Sequence, residues 1–167
     1  MNVPLPRLAL MLGFTAACAL AAPPTEVTLA GDATVPFASG VGLPAGRAYY
    51  CTSGMGAPVI KKEAPNTYER YGDTYVQGAA TLKAIAAALA KQGLTLADVV
   101  YLRIYVAPDA AKGGKPDFPA LFRAYGEVFN TKENPAKPAR TTLGVAALVN
   151  PDWLVEIEAV AVYPGKQ

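Results

Sequence analysis

The sequence has no histidine anywhere in its 167 residues. That removes the commonest general base and the commonest metal ligand together. Cysteine is nearly absent as well, with only Cys18 and Cys51. Charge of one sign is also missing: 15 basic residues face 13 acidic ones, for a formal net charge of +2. No basic stripe runs along the chain, so the surface offers nothing suited to a polyphosphate partner, and nucleic-acid chemistry is not expected. Hydrophobic residues make up 52% of the sequence, which excludes disorder over most of its length.

Part of that apolar content belongs to the amino terminus. Arg7 is followed by an apolar stretch over residues 8–22, crowded at its end with small residues and carrying the A-x-A triplet Ala19-Leu20-Ala21. This is the layout of a secretory signal peptide, too short to span a membrane. Thr15-Ala16-Ala17-Cys18 admits a lipoprotein reading, weakened because Thr15 stands where leucine is usual. The expected organisation is a signal peptide over 1–22, a linker over 23–34 opened by Pro23-Pro24, one domain over 35–163 and a tail over 164–167. The mature protein is expected to be periplasmic or secreted, with no membrane attachment once the leader is removed. Cleavage removes Arg7 and Cys18, leaving Cys51 without an intrachain disulfide partner.

Within the domain, residues 38–43 and 47–53 read as two short strands around the turn Pro44-Ala45-Gly46. Residues 59–72 read as an irregular surface excursion. A helix is expected over 74–92, capped by Asp73 and closed by Gly93, with Val76, Leu82, Ile85 and Leu89 on its apolar face. Residues 99–106 form an almost continuous β-rich run. A second helix begins at Asp117, where Phe118, Leu121, Phe122, Tyr125, Val128 and Phe129 describe one apolar stripe. Strands follow over 140–148 and 154–163. The order β-β-α-β-α-β-β in one small domain implies an α+β fold with both helices packed on one face of the sheet.

The last third carries the chemistry. Arg140 opens a strand, and Glu156 and Glu158 sit inside the next one among residues that otherwise favour burial. Charges on apolar strands cost several kcal/mol, on the order of 3–5, unless they are paired or face a cleft. Arg140 facing a carboxylate across neighbouring strands is therefore either a structural ion pair or the floor of a site. Period-two alternation puts Glu156 and Glu158 on the same side of their strand.

Several blocks share an order. They are Val35-Pro36-Phe37-Ala38-Ser39-Gly40, Thr52-Ser53-Gly54, Gln77 with Leu82, and Gly93 to Val100. Asp117-Phe118 with Tyr125 and Phe129 follows, then Pro138-Ala139-Arg140-Thr141-Thr142, then Leu154 to Val162. Together they resemble the Rid family of reactive intermediate deaminases, also called YjgF or RidA-like, over roughly residues 35–163. The resemblance implies a chorismate mutase-like domain, a homotrimer with sites between subunits, and hydrolysis of small 2-imino or enamine acids without metal or cofactor. It also implies that Arg140 clamps the substrate carboxylate, Glu156 orients or deprotonates water, and Ser53 adds a hydrogen bond. Three positions depart from the family pattern: Phe37 replaces a tyrosine, Phe122 an asparagine and Thr142 a cysteine, which makes one side of the pocket more apolar. Phe122 also reads as part of the helical core stripe. The alternative is a periplasmic trimer that binds a small carboxylate without catalysis.

Overall fold

A computed structural model describes residues 22–165. Apart from Ala22, the expected leader lies outside them, with Arg7, Cys18 and the cleavage triplet, as do the last two residues of the expected tail. The elements in chain order are β1 (Thr28–Ala30), β2 (Gly40–Gly42), β3 (Tyr49–Cys51), β4 (Met55–Gly56) and α1 (Thr67–Tyr71). They continue with α2 (Thr74–Ala90), β5 (Val99–Val106), α3 (Phe118–Gly126), β6 (Ala139–Gly144) and β7 (Val155–Val162).

The main sheet runs β3-β7-β5-β6, and β4 also pairs with β7. β5 and β6 are parallel, and the remaining pairs are antiparallel. Val99, Leu102, Ile104 and Val106 of β5 are buried, the register shifting between Val99 and Tyr101, as are Val155, Ile157, Ala159 and Ala161 of β7. This face carries α2 and α3 and with them forms the core. The opposite face bears Tyr101, Arg103 and Tyr105 of β5 in register with Val160, Glu158 and Glu156 of β7. Among the described residues no helix covers that face. The α+β fold with two helices on a mixed sheet is as expected.

The helix signals are realised closely. The Asp73 carboxylate accepts from the Val76 amide at 2.9 Å, and Gly93 takes φ 71° beyond the helix end. Val76, expected on the apolar face, is instead 37% exposed. It lies six residues before Leu82, about 120° around the helix, so the buried stripe passes through Gln77, Gly78 and Thr81 instead. Gln77 is fully buried. Its amide donates to the Gly72 and Asp152 carbonyls at 3.1 Å each, and its oxygen accepts from the Leu154 amide at 2.8 Å. It therefore fixes the start of α2 to the entry of β7.

Four expectations need correction. The linker contains β1, which pairs with β2 in a separate two-stranded ribbon. The strand expected over 47–53 is shorter, Tyr49–Cys51, and Met55–Gly56 beyond it forms β4 against β7. The excursion is not irregular throughout: Asn66 caps α1 by accepting from the Glu69 amide at 3.1 Å. Arg70 and Thr67 tie that helix to Asp152, at 2.6 and 2.7 Å, and the Tyr68 hydroxyl donates to the buried Asp109 carboxylate. Finally, α3 stops at Gly126, so Val128 and Phe129 lie in the turn beyond it, although Phe129 stays fully buried.

Candidate functional site

Arg140 lies on β6, the edge strand. Its register partner is Leu102 and that of Thr142 is Ile104, so both side chains point to the helix-covered face. Two connections bring aromatic rings to Arg140. Ala38 makes a parallel bridge to Ala139, and its amide donates to the Lys137 carbonyl at 3.1 Å, which sets Phe37 beside Arg140. From above, α3 supplies Phe122 and Tyr125. The guanidinium carbon lies 4.7 Å from the Phe37 ring centroid, 4.6 Å from that of Phe122 and 4.3 Å from that of Tyr125.

These rings hold a half-buried cation through their negative faces. No carboxylate pairs with Arg140 among the described residues, and its Nη1 is buried without a hydrogen-bond partner. Burial lowers the pKa of the guanidinium, opposed by the nearby Tyr125. The Tyr125 phenol is pushed up to about 12 by burial, against the pull of Arg140, and donates to the Pro36 carbonyl at 3.0 Å. Thr142 Oγ1, two residues along the same face, is also buried and unpaired.

The expected pairing of Arg140 with a carboxylate on a neighbouring strand does not occur. β5 lies between β6 and β7, and Glu156 and Glu158 face the uncovered side of the sheet. Phe122 is corrected as well. It is 41% exposed and is not part of the core stripe, because Leu121 and Tyr125 take the buried side of α3 and leave it turned toward Arg140.

The second group sits around β7. Glu158 is engaged: Arg103 pairs with it at 2.8 Å and the Tyr105 hydroxyl donates to it at 3.2 Å. Glu156 is half-buried and makes no side-chain hydrogen bond or ion pair among the described residues. Gly56 is its register partner on β4, and the Glu156 carboxylate occupies the place where a Cβ of Gly54 would stand. Ser53 is exposed next to that glycine. It follows β3, where the Thr52 amide donates to the Ala159 carbonyl at 2.9 Å and holds the loop to β7.

The six sequence-derived residues therefore form two groups. Arg140, Thr142, Phe37 and Phe122 gather at the β6 edge on the helix side, and Ser53 and Glu156 gather around β7 on the open side. Sequence reasoning missed Tyr125 as a ring on Arg140, although it stands in the helical stripe and in one of the family blocks, and missed Gly54 as the space that Glu156 fills. Among the described residues no group of three or more Cys, Asp or Glu side chains is arranged around a metal-sized point, and no helix is long and apolar enough to cross a membrane.

A family model described as endoribonuclease L-PSP matches residues 44–163. A RutC family protein of Haemophilus influenzae is 35% identical over 98 residues, covering 59% of this chain and 70% of that protein. The YjgF gene product of E. coli is similar in structure, with TM-score 0.54 and 30% identity over 79% of this chain and 91% of the other. TdcF of E. coli, solved with bound serine, gives TM-score 0.53 and 27% identity over 81% of this chain and 94% of its own. YyfB of Yersinia pestis, described as of the conserved Rid protein family, gives TM-score 0.62 and 26% identity over 82% and 98%.

Proposed function

The chain belongs to the endoribonuclease L-PSP family, the group that includes the YjgF and Rid proteins, and on that premise we propose that it hydrolyses small 2-imino acids to 2-keto acids and ammonia. The observation that carries this reading is Arg140. Its guanidinium is half-buried, un-neutralised and braced by three rings, with one nitrogen lacking a partner. A cation held this way offers its fork to a planar anion, and a carboxylate matches the fork at two points. The serine held by TdcF supports a small amino-acid-like ligand.

In the proposed reaction Arg140 fixes the substrate carboxylate. Glu156, which has no side-chain partner among the described residues, takes a proton from a water as its oxygen bonds to the carbon of the protonated imine and the C=N π pair moves to nitrogen, giving a neutral carbinolamine. The carbinolamine then collapses: the proton returns from Glu156 to nitrogen, the C–N bond breaks as the hydroxyl oxygen forms the C=O bond, and the hydroxyl proton passes to the departing ammonia, leaving the keto acid and ammonium. The Ser53 hydroxyl hydrogen-bonds the ligand. Because Arg140 and Glu156 face opposite sides of one sheet, the site forms between copies, with the β6 edge of one chain meeting the β7 side of the next in a homotrimer. The uncovered face, with Tyr49 63% and Leu143 49% exposed, supports such an assembly. The family description refers to RNA cleavage, but with no histidine and one arginine among the site residues, a single carboxylate fits this site better than a polyphosphate chain.

Keto-acid release from imines made in situ by an amino-acid oxidase tests the reading. Arg140→Lys keeps the charge and loses the planar grip, and is expected to cost roughly 30-fold to 1000-fold in kcat/KM, about 2–4 kcal/mol. Glu156→Gln is expected to depress kcat while leaving keto-acid binding nearly unchanged. Full turnover in both variants would overturn the site. Keto-acid binding without any wild-type turnover would make the protein a carboxylate-binding module.

A further inference from the structure

Resting on the reading of Arg140 as a carboxylate grip, we propose that the site selects 2-imino acids whose side chain is apolar, aromatic above all, and that Phe122 and Phe37 do the selecting. The three rings around Arg140 differ in what they leave free. Tyr125 is 1% exposed and its hydroxyl is already given to the Pro36 carbonyl at 3.0 Å, so it braces the guanidinium and offers a ligand nothing polar. Phe122 is 41% exposed, and Phe37 is half-buried. Phe118 stacks behind Phe122, with centroids 6.3 Å apart and planes inclined by 23°, so the exposed ring is supported from behind.

An anion that meets the guanidinium comes to lie beside these two rings, because the guanidinium carbon is within 4.7 Å of both centroids. The substituent on the carbon next to the carboxylate is then placed against ring surface. Thr142 Oγ1, two residues along β6 on this face, is buried without a hydrogen-bond partner, as Arg140 Nη1 is, and it belongs with the carboxylate grip and not with the ring surface. A hydroxymethyl or carboxamide substituent laid against the rings would lose water and gain no hydrogen bond from ring surface. A flat apolar substituent would lose nothing and would gain stacking contact.

Titration calorimetry with two stable product acids separates the possibilities. Pyruvate presents the carboxylate with a methyl group, and phenylpyruvate presents it with a ring. Wild type is expected to bind phenylpyruvate about tenfold or more tightly than pyruvate, in line with discrimination by an apolar pocket. Phe122→Ala, at an exposed position that does not support the core, removes one brace of Arg140 as well as ring surface, and is expected to weaken phenylpyruvate about tenfold more than it weakens pyruvate. Equal affinities in wild type, both lost in Arg140→Lys, would overturn the preference and leave the carboxylate grip standing. Equal weakening of both acids in Phe122→Ala would also overturn it, since the ring would then act on Arg140 and not on the ligand. Failure of both acids to bind wild type would overturn the grip itself, and this preference with it.

Discussion

Placing Arg140 and Glu156 on opposite faces of one sheet leads to a subunit-mixing experiment with a quantitative outcome. Take Arg140→Lys and Glu156→Gln as two stocks, each nearly inactive and each confirmed as a trimer by light scattering. Unfold them together at varied ratios and refold. If every site takes its arginine from one copy and its glutamate from the neighbour, a site is intact only when a Glu156→Gln chain supplies the arginine and an Arg140→Lys chain supplies the glutamate. With x the fraction of one variant, random assembly makes the intact fraction follow x(1 − x), about one quarter of all sites at equal mixing. The keto-acid assay should then recover about a quarter of wild-type turnover from two stocks that each retain about a thirtieth or less. The curve should be a parabola symmetric about equal mixing. Activity that stays at the weighted sum of the two residual rates would mean that no site is shared between copies. Since β5 separates the two residues within one chain, that result would remove them from a common site altogether.

Two further outcomes follow from the same geometry. Gly54→Ala would put a Cβ where the Glu156 carboxylate now lies; the carboxylate must turn aside, and kcat is expected to fall about 10- to 100-fold with little change in melting temperature or keto-acid affinity, so unchanged kcat would show that Glu156 needs no fixed position. Asp152 is held below the ordinary carboxyl pKa by the Thr67 hydroxyl and then by Arg70. The unfolded chain therefore takes up the proton first, near pH 4, and the stabilisation present above that pH is lost as pH falls through the lower folded value. Melting temperature should drop from pH 5 to pH 3 more steeply in wild type than in Asp152→Asn, with the two curves converging in acid, and parallel curves would contradict the linkage.

Where the chain forms long elements that bury one face, its pattern was readable. Residues 99–106 alternate and bury as a strand should, and the caps Asp73 and Asp117 sit where the helices begin. The elements that escaped notice are short, and burial leaves no pattern in them. Thr28–Ala30 is exposed at all three positions, and β4 is two residues long with a glycine in it. Both exist because another strand lies alongside, which a window of local sequence does not record. α1 is a different case. Asn66 caps the helix by accepting from the Glu69 amide, and its side-chain amide donates to the Glu69 carboxylate, but a five-residue helix with no buried side chain gives no periodicity to set against Pro65 and the lysines before it.

The site shows which part of the reasoning could not be carried through from sequence. Alternation within one strand correctly puts Glu156 and Glu158 on the same side, but whether Arg140 can meet them depends on strand order. The insertion of β5 between β6 and β7 is a fact of topology, and the inverted parity of Arg140 follows from its register with Leu102. The energetic premise was also too narrow. From sequence, a charge on an apolar strand is expected to be paired or to face a cleft, because desolvation costs several kcal/mol, roughly 3–5 when a charge is left uncompensated. Three ring faces within 4.7 Å, each worth about 0.5–1 kcal/mol at an exposed site and about 2 when desolvated, offset part of that cost. The two solutions differ in what remains. An acid partner would cancel the charge and fill the fork, whereas ring faces stabilise the cation and take up none of its N–H donors. The aromatic surroundings of Arg140 are what allow one residue to be held firmly by the fold and still remain available to an anion.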